Sequence, residues 1–400
     1  MLKARCLPPS FTLFFKERAL SLMNIVFIVN VKIPTDKAYG ISVVHTCSAL
    51  AGLGHSVTLI APDIGQDGKD VYLYYGVEKN FKTIYISVTY FRLWGRVGFW
   101  ARQIIFSTKL VFFGGISGEG AVITRDPLSG VLLYLRGLRV FFDMHGFPKK
   151  MLWAWKIGVK CFLGIIVTNG WKVDPCVNLL SLSRKKILVA PNGFDEKQFI
   201  AIEKKETARK KLRLPKGQLA LYTGHLYDWK GAHVLAEATV YLPDVTILFV
   251  GGTPNEISEF KKKYGAYPNV IFVGQKPHVD IPIYLAAADV LVLPNSNISH
   301  SKRLHGYSKF ETSPIKLFEY MASGRPIIAS DLPSIREIID GESALLVPPD
   351  DPKVLAEGIE KILGDKTLGE SIAERAKKKG EEYTWQKRGE RIINFINTLT

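Results

Sequence analysis

The chain has 400 residues, of which 47% are apolar, and this is enough to build two globular domains. Charged residues make up 22%, and glycine and proline occur at ordinary levels, which excludes a disordered, collagen-like or coiled-coil protein. The net charge of +16 is uneven, because residues 1–200 hold 25 basic and 12 acidic side chains against 28 and 25 in 201–400. The basic first half predicts an anionic partner: nucleic acid, a membrane surface or a phosphorylated substrate.

The amino terminus and the cysteines carry little functional signal. Residues 1–22 contain the apolar stretch FTLFF, but charged residues interrupt it well short of a signal-peptide core or a spanning length. We interpret 1–22 as an extension or a misassigned start, because Met23 directly precedes the strand-like run NIVFIVN. The four cysteines form no C-x-x-C pair, which favours reduced thiols in a cytoplasmic protein over a zinc ribbon or a redox pair.

Short apolar runs then alternate with segments of helical period. The first half contains NIVFIVN, HSVTLIAP, GAVITRD, LRVFFDMHG and GIIVTNG, and ILVAPNGFD closes this set. The second half contains LALYTGH, DVTILFVGG, NVIFVGQ, ADVLVLP, RPIIASD and SALLVPP. Continuous apolar runs separated by helices are typical of parallel strands covered on both faces. The two sets predict an α/β protein of two Rossmann-like, doubly wound domains facing a cleft.

A polar, strandless segment near 195–215 marks the predicted seam between the domains. We predict a first domain over 23–197, a second over 198–375, and C-terminal helices over 376–400 that pack back on the first domain. The last helix should start near Trp385. Ligands of such proteins bind at the carboxyl ends of the strands, so the loops there are the candidate site.

The densest pattern lies in residues 308–338. Pro314 opens a helix that a glycine ends, so the amides of 314–317 lie at a positive helix end that suits phosphate oxygens. Glu311 and Glu319 flank this anion site and could accept hydrogen bonds from sugar hydroxyls. The alternative is structural: Glu311 complements the helix dipole, and Glu319 is solvated or paired.

A second pattern, YTGHLYDWKGAHVLAEA, occupies residues 222–238. A strand ends at Thr223, Gly224 allows a tight turn, and Lys230 stands at the mouth of the next helix. Its ammonium could neutralise a diphosphate leaving group, although a surface charge is the alternative. No D-x-D motif occurs and no metal-ligand spacing is present, so we expect neither a cofactor nor an obligatory metal.

These patterns together resemble a known family. ETSPIKLFE has the E-x7-E spacing of the retaining glycosyltransferases of family 4, whose fold is called GT-B, and EYMASGRPIIASDLPSIREII is similar to the next stretch in that family. GHLYDWKG, APNGFD at 190–195 and FDMHG at 142–146 are also similar to stretches of that family, and the resemblance covers about 24–398. It implies transfer of a sugar, with retention, from a nucleotide-diphosphate donor to a glycan or lipid-linked acceptor in cell-surface polysaccharide or glycolipid synthesis.

The resemblance also implies roles for catalytic residues. Lys230 would hold the donor diphosphate, and Glu311 would contact the donor sugar near its reacting carbon. His145 would lie across the cleft, near the donor sugar and the acceptor, although by itself a histidine in such a loop is more often a turn or capping residue.

The implied donor site departs from the family pattern at two places. His225 stands where the family usually has arginine, and the loop with Gly40 has one glycine where many members have a pair. Gly40 would let the backbone approach the donor, Glu319 would bind the ribose hydroxyls, and the backbone after Ser313 would cradle the distal phosphate. The implied donor-binding residues are Gly40, Gly224, His225, Lys230, Pro314, Ile315, Lys316 and Glu319.

The tryptophan-rich segments 91–113 and 149–167 suggest a membrane partner. Basic residues interrupt them too often for a spanning helix, but they suit a surface helix in an anionic headgroup layer. Ordinary buried helices with snorkelling basic ends are the alternative. No nucleic-acid-binding module accompanies the charge, so we expect no nucleic-acid partner. The expected location is the cytoplasm, with peripheral contact at the inner face of the cell membrane as a hypothesis.

Two other functions stay open at this point. One is a nucleotide-sugar epimerase or an inverting enzyme of the same two-domain shape. The other is a non-catalytic protein that binds a sugar nucleotide or a lipid, because His225 departs from the family pattern.

Overall fold

The computed structural model describes residues 22–65, 68–88, 95–116, 118–264, 267–298 and 307–400. The first domain is a seven-stranded parallel sheet with helices on both faces. Its elements are β1 (Asn24–Ile28), α1 (Ala38–Gly52), β2 (Ser56–Asp63), α2 (Val71–Tyr75), β3 (Lys82–Ser87), α3 (Gly95–Phe112), β4 (Ala121–Thr124), α4 (Pro127–Leu135), β5 (Val140–Met144), α5 (Leu152–Gly158), β6 (Gly164–Val167), α6 (Val173–Leu180) and β7 (Ile187–Val189). The strand order is β3-β2-β1-β4-β5-β6-β7, with β1 near the centre.

The second domain repeats this plan with a six-stranded parallel sheet. Its elements are α7 (Lys205–Leu212), β8 (Gln218–Thr223), α8 (Ala232–Ala238), β9 (Val245–Val250), α9 (Pro254–Tyr264), β10 (Val270–Gly274), α10 (Ile281–Ala287), β11 (Val290–Leu293), α11 (Tyr307–Phe310), α12 (Ile315–Ser323), β12 (Ile327–Ser330), α13 (Pro333–Arg336), β13 (Leu345–Val347), α14 (Pro352–Gly364) and α15 (Lys366–Gly380). The order is β10-β9-β8-β11-β12-β13, and α16 (Trp385–Leu399) comes last.

Both faces of each sheet are buried, which is why the strands are continuous apolar runs. In β1, Ile25 and Phe27 pack into the core on one face, while Val26 and Ile28 pack into the core on the other. Each such side chain contributes about 1.5–3 kcal/mol by leaving water. The predicted fold class of two doubly wound α/β domains is confirmed.

One strand, β3, is absent from the sequence prediction. Its residues KTIYIS lie at the edge of the first sheet, and only Ile86 of the six is buried. An edge strand that is only partly covered needs no continuous apolar run, so its sequence gives a weaker signal.

The chain crosses between the domains twice, and the two crossings lie side by side. Phe194 donates its backbone N–H to the Tyr383 carbonyl at 3.1 Å, and Trp385 donates to the Phe194 carbonyl at 3.1 Å. Gly193 permits this approach, because a Cβ there would lie 2.6 Å from the Tyr383 carbonyl oxygen. The first crossing carries the chain into the second domain, and the other returns it.

The returning segment is α16, which packs on α1 of the first domain. Gly389 lies against Ala49 and Leu53, and the apolar face of α16 joins the core that contains β1. The predicted border after residue 375 falls inside α15, which packs on α12 of the second domain and ends at Gly380. The return therefore begins after α15, and α16 starts at Trp385 as expected.

Candidate functional site

The residues that the sequence predicts for an anion site lie together at the carboxyl edge of the second sheet. The central strand β8 ends at Thr223 and is followed by Gly224, whose φ of 120° requires glycine. A Cβ at Gly224 would lie 3.7 Å from Lys230 Nζ, so this turn brings the lysine back over the strand end. The helix α12 begins beside it at Ile315, and the first amides of a helix lack intrahelical acceptors.

Two lysines, Lys230 and Lys316, lie close together in this arrangement. Burial lowers the pKa of Lys230 to about 8, although the carboxylate of Glu256 opposes the change. Burial, with the nearby charge of Lys230, holds the pKa of Lys316 well below its ordinary value. Lys316 Nζ lies 3.9 Å from the centre of the Tyr222 ring and has no hydrogen-bond partner among the described residues. An anion between the lysines would supply the missing acceptor and restore their charges.

The sequence prediction assigned only the backbone of Lys316 to this site. Pro314 and Ile315 occupy the helix start as expected, although Pro314 has no N–H to donate to a phosphate. The Lys316 side chain lies close enough to Lys230 for their charges to interact. The only signal in the sequence is its position in the first turn of the helix. Asn295 was also missed: it follows β11 at the same edge, is fully buried, and neither of its amide atoms has a hydrogen-bond partner within the described ranges.

His225 lies in the predicted turn but is held by another group. Its Nδ1 is 3.2 Å from both carboxylate oxygens of Glu256, and its ring stacks on Tyr227 with centroids 4.8 Å apart. Glu256 also accepts hydrogen bonds from the backbone N–H groups of Leu226 and Thr253. This histidine therefore organises the turn together with Glu256, whereas the arginine of the family pattern would present a permanent charge.

Glu319 is buried in α12 and bonded to a histidine that follows β10. The distance from Glu319 Oε1 to His278 Nε2 is 2.5 Å. Burial alone would lower the pKa of His278, but the Glu319 carboxylate outweighs it and the pKa is raised. The ring of His278 also contacts His45 of α1 edge-on at 5.7 Å. Glu319 is thus paired within the protein, and a ribose would have to share or replace His278.

Glu311 lies between the domains, just before α12. Its Oε1 forms an ion pair with Lys149 Nζ at 2.9 Å, and its backbone carbonyl accepts a hydrogen bond from Lys172 Nζ at 2.8 Å. Both lysines belong to the first domain. The expected donor-sugar carboxylate is therefore placed by residues that no local motif identifies.

His145 follows β5 at the carboxyl edge of the first sheet. Its Nε2 is buried, lies 3.7 Å from Asp143 Oδ2, and has no hydrogen-bond partner in the described part of the chain. Burial, reinforced by the charge of Arg125, holds the pKa of His145 well below its ordinary value. The imidazole is thus neutral near pH 7, and its Nε2 has one hydrogen-bonding position unused among the described residues.

Asp143 anchors a buried ion cluster beneath His145. It contacts Arg125 at 2.8 Å and Arg388 of α16 at 3.1 Å, and all three side chains are almost completely buried. Burial would raise the pKa of Asp143, but the two guanidinium groups hold it well below its ordinary range. This cluster joins α16 to the sheet edge that carries His145.

Gly40 does not lie in a loop, as the sequence prediction had it. It belongs to the first turn of α1, and a Cβ there would collide with the hydroxyl of Tyr75. That hydroxyl donates to the Thr35 carbonyl and accepts from the Thr35 N–H, both at 2.8 Å. The glycine at position 40 is therefore required by the packing of Tyr75.

The cleft between the domains opens into a cavity of about 270 Å³. Gln275 lines it from the second domain, and the lining residues of the first domain are Lys32, Pro34, Thr35, Asp36, Lys69 and Tyr74. Among the described residues, no group of three His, Cys, Asp or Glu side chains is arranged to hold a metal ion. None of the helices in the described ranges has the length and apolar character needed to cross a bilayer.

Comparison with sequence families gives a match over most of the second domain. Residues 204–379 match the family described as glycosyl transferases group 1. A D-inositol 3-phosphate glycosyltransferase of Corynebacterium urealyticum is 25% identical over 233 residues, 54% of this chain and 52% of the relative. A putative teichuronic acid biosynthesis glycosyltransferase, TuaC, of Bacillus subtilis is 33% identical over 245 residues, 60% of this chain and 57% of the relative. The chain thus spans a little over half of these relatives, and the matches support a relationship to family 4-like glycosyltransferases.

Solved structures match across both domains. Sucrose-phosphate synthase from Thermosynechococcus elongatus superimposes with a TM-score of 0.74 at 21% identity, covering 94% of this chain and 99% of that one. HepE of Anabaena in complex with UDP gives a TM-score of 0.69 at 15% identity, covering 94% and 100%. The protein has the GT-B fold. The lysine pair lies at the carboxyl edge of one sheet, and His145 follows a strand at the carboxyl edge of the other.

Proposed function

We propose that the protein is a glycosyltransferase that moves a sugar from a nucleotide-diphosphate donor to a glycan or lipid-linked acceptor, with retention of configuration. The observation that carries the proposal is the buried pair of Lys230 and Lys316 beside the start of α12, with no carboxylate bonded to Lys316 in the described part of the chain. Such a site binds an anion of high charge. The related TuaC, named for teichuronic acid biosynthesis, supports cell-surface polysaccharide synthesis as the setting.

The proposed reaction uses these groups to stabilise the leaving diphosphate. Lys230, Lys316 and the amides of 315 and 316 bind its oxygens as the bond between the sugar's anomeric carbon and the phosphate oxygen breaks. The acceptor hydroxyl attacks the anomeric carbon from the same face, and its proton passes to the departing phosphate oxygen. The lysines and helix amides neutralise the developing charge, so the reaction as we propose it needs no obligatory metal.

Three further residues complete the proposal. Glu311 positions the donor sugar and supports positive charge at its anomeric carbon. Glu319 binds the ribose hydroxyls in exchange for its bond to His278. His145, which is neutral and has an unpartnered Nε2 among the described residues, bonds a hydroxyl of the donor sugar or the acceptor.

The first test is thermal stabilisation of the full-length protein by UDP, GDP, ADP and CMP, each with and without EDTA. We expect one nucleoside diphosphate to raise the melting temperature of the wild type, and we expect the same rise with and without EDTA. Lys230→Ala should lose most of that rise, whereas Lys361→Ala, which changes an exposed lysine of α14, should keep it. If none of the nucleotides stabilises the wild type, the protein is not a nucleotide-sugar transferase of this kind.

The second test addresses the carboxylate and the stereochemistry. With the donor identified, Glu311→Gln should lower kcat, because the amide cannot support a positive anomeric carbon. Full turnover by this variant would remove the proposed role. NMR of the product distinguishes retention from inversion, and release of an isomerised nucleotide sugar would instead identify an epimerase.

A membrane surface is a second proposal, carried by the outer faces of α3 and α5. Trp100 is 62% exposed and Trp153 is 68% exposed, and Lys156 and Lys160 are exposed beside the latter. Trp94, also part of the sequence prediction, lies outside the described residues. Exposed aromatic and basic side chains on one surface suit the headgroup layer of an anionic membrane. The protein would then work in the cytoplasm, at the inner face of the cell membrane.

Cosedimentation with phospholipid vesicles tests this surface. The wild type should bind anionic vesicles and not neutral ones, and Trp153→Ser should weaken binding. Leu73→Ser is the matched control, because Leu73 is an exposed apolar residue of α2. A wild type that stays in solution with anionic vesicles would refute the membrane proposal and leave the transferase proposal intact.

A further inference from the structure

The segment that carries Glu311 is held by side chains of the other domain. Its four successive backbone carbonyls, at residues 310–313, all accept hydrogen bonds from the first domain. The donors are Asn169 Nδ2 to Phe310 (2.9 Å) and to Thr312 (3.1 Å), Lys172 Nζ to Glu311 (2.8 Å), and Asn192 Nδ2 to Ser313 (2.8 Å). We call Asn169, Lys172 and Asn192 the clasp residues.

The clasp is reciprocal, because the second domain also contacts the loop that carries Asn169 and Lys172. Glu337 Oε1 accepts a hydrogen bond from the Gly170 backbone N–H at 2.5 Å. Trp171 packs on Phe310, with ring centroids 5.0 Å apart. The loop 168–172 is thus fixed to the second domain from both sides.

The clasp residues are buried, and Lys172 is only 1% exposed. Besides Glu311, its ammonium bonds Thr168 Oγ1 at 2.9 Å. Burial lowers the pKa of Lys172 to about 8, against the opposing charges of Glu311 and Glu337. Burying an ammonium is costly, and methionine would fill the same space without that cost. The donor capacity of Lys172 is therefore the feature that distinguishes it from an apolar packing residue.

We propose that the clasp positions the Glu311 carboxylate against the donor sugar, with Lys172 as its central positioning residue. This inference rests on the proposed transferase function. The first domain thereby controls the geometry of a group that belongs to the second. Because the nucleotide contacts Lys230, Lys316 and the start of α12, the clasp should affect binding of the sugar and its transfer, and not binding of the nucleotide.

The test compares four variants of the full-length protein. Lys172→Met removes the donor at constant length, and Asn169→Asp keeps the shape but replaces the donor by an acceptor. Lys172→Arg keeps the charge and donor capacity. Lys197→Met is the matched control, because Lys197 forms an exposed ion pair with Glu78.

Three quantities are measured on each variant. Hydrogen–deuterium exchange of residues 307–317 reports whether the segment is held. The dissociation constant for UDP divided by that for UDP-glucose reports how much the sugar contributes to binding. The kcat and KM report transfer where a donor and an acceptor have been found.

In Lys172→Met and Asn169→Asp we expect hydrogen–deuterium exchange at 307–317 to be faster than in the wild type. The ratio of the dissociation constants for UDP and UDP-glucose should fall toward one, while UDP affinity stays within about twofold of wild type. The kcat should be lower by about 10- to 100-fold. Lys172→Arg should recover part of each loss, and Lys197→Met should match the wild type.

Two outcomes would overturn the inference. Wild-type exchange in both Lys172→Met and Asn169→Asp would show that the clasp does not hold the segment. Equal losses of UDP and UDP-glucose binding would indicate general damage in place of positioning. If the wild type binds none of UDP, GDP, ADP and CMP, the proposed function fails by itself, and the exchange measurement still decides whether the clasp exists.

Discussion

The two sheet edges that face the cleft both bury charged side chains, but they do so in opposite ways. At the first edge, Asp143 lies between Arg125 and Arg388, and each charge is met by its neighbours. At the second edge, Lys230 and Lys316 lie together, and the Lys316 ammonium has no hydrogen-bond partner in the described part of the chain. The first cluster is complete within the protein, whereas the second leaves the Lys316 side chain without an acceptor among the described residues.

The pKa directions of Asp143 and of the two lysines agree with this difference, although burial also lowers the pKa of Arg388. The carboxyl pKa of Asp143 is held far below its ordinary range, so its neighbours favour the charged form. The pKa values of both lysines are lowered, so their surroundings disfavour the charged form. A buried charge cluster that is satisfied serves structure, whereas one that is unsatisfied indicates a ligand. Removing a charge should therefore have opposite effects at the two edges.

The largest effect is expected for Arg388→Met. The substitution leaves Asp143 with one guanidinium and removes the hydrogen bonds from Arg388 to the Ala190 and Pro191 carbonyls. We expect the free energy of unfolding to fall by about 3–5 kcal/mol, measured by urea denaturation. Arg391→Met, an exposed arginine of the same helix, should cost less than about 1 kcal/mol. Equal losses in the two variants would mean that the buried cluster is not what stabilises α16.

The second prediction concerns Lys316→Met at the other edge. Without ligand, the variant should be more stable than the wild type by about 1 kcal/mol, because a buried ammonium without a partner is replaced by an apolar side chain of similar length. The same variant should bind nucleoside diphosphate more weakly, by about tenfold. Urea denaturation of the samples checks that stability without ligand rises, and titration with nucleoside diphosphate checks that affinity falls. A variant that is less stable without ligand would show that Lys316 supports the fold and would remove the contrast between the edges.

The smallest effect is the pH dependence of nucleotide binding. Lys230 has a pKa of about 8, below its ordinary 10.5, so its ammonium is present below pH 8 and is lost as the pH rises through that value. Affinity for UDP should therefore decline above about pH 8. If binding requires the Lys230 ammonium, the decline should reach about tenfold per pH unit. In Lys230→Arg the decline should be weaker, because guanidinium stays charged. A flat profile from pH 7 to 9.5 in the wild type would argue against a role for this proton.

The sequence could predict the second edge because that edge is built from local patterns. The strand ending at Thr223, the glycine turn, Lys230 and the start of α12 are each encoded within a few residues, and parallel strands bring their ends together. The six strands of the second sheet all coincide with continuous apolar runs, and each was predicted.

The first edge and the clasp could not be predicted in the same way. Asp143 and Arg388 are 245 residues apart, and Lys172 and Glu311 are 139 apart, so no spacing in the sequence connects them. His225 was expected at the diphosphate, but its bond to Glu256 depends on the fold that places α9 beside the turn. Gly40 was assigned by resemblance to a loop, and its real neighbour, Tyr75, comes from another helix.

The paired crossings at Phe194 and Thr384 bear on how the two halves can move. Both connections run side by side and are bonded to each other, so a change in the angle between the two halves has to bend both of them at the same place. A protease cut within residues 200–204 would leave the halves joined through 381–384. An opening of the cleft would therefore bend both connections at this one place and would also break the hydrogen bonds of the clasp.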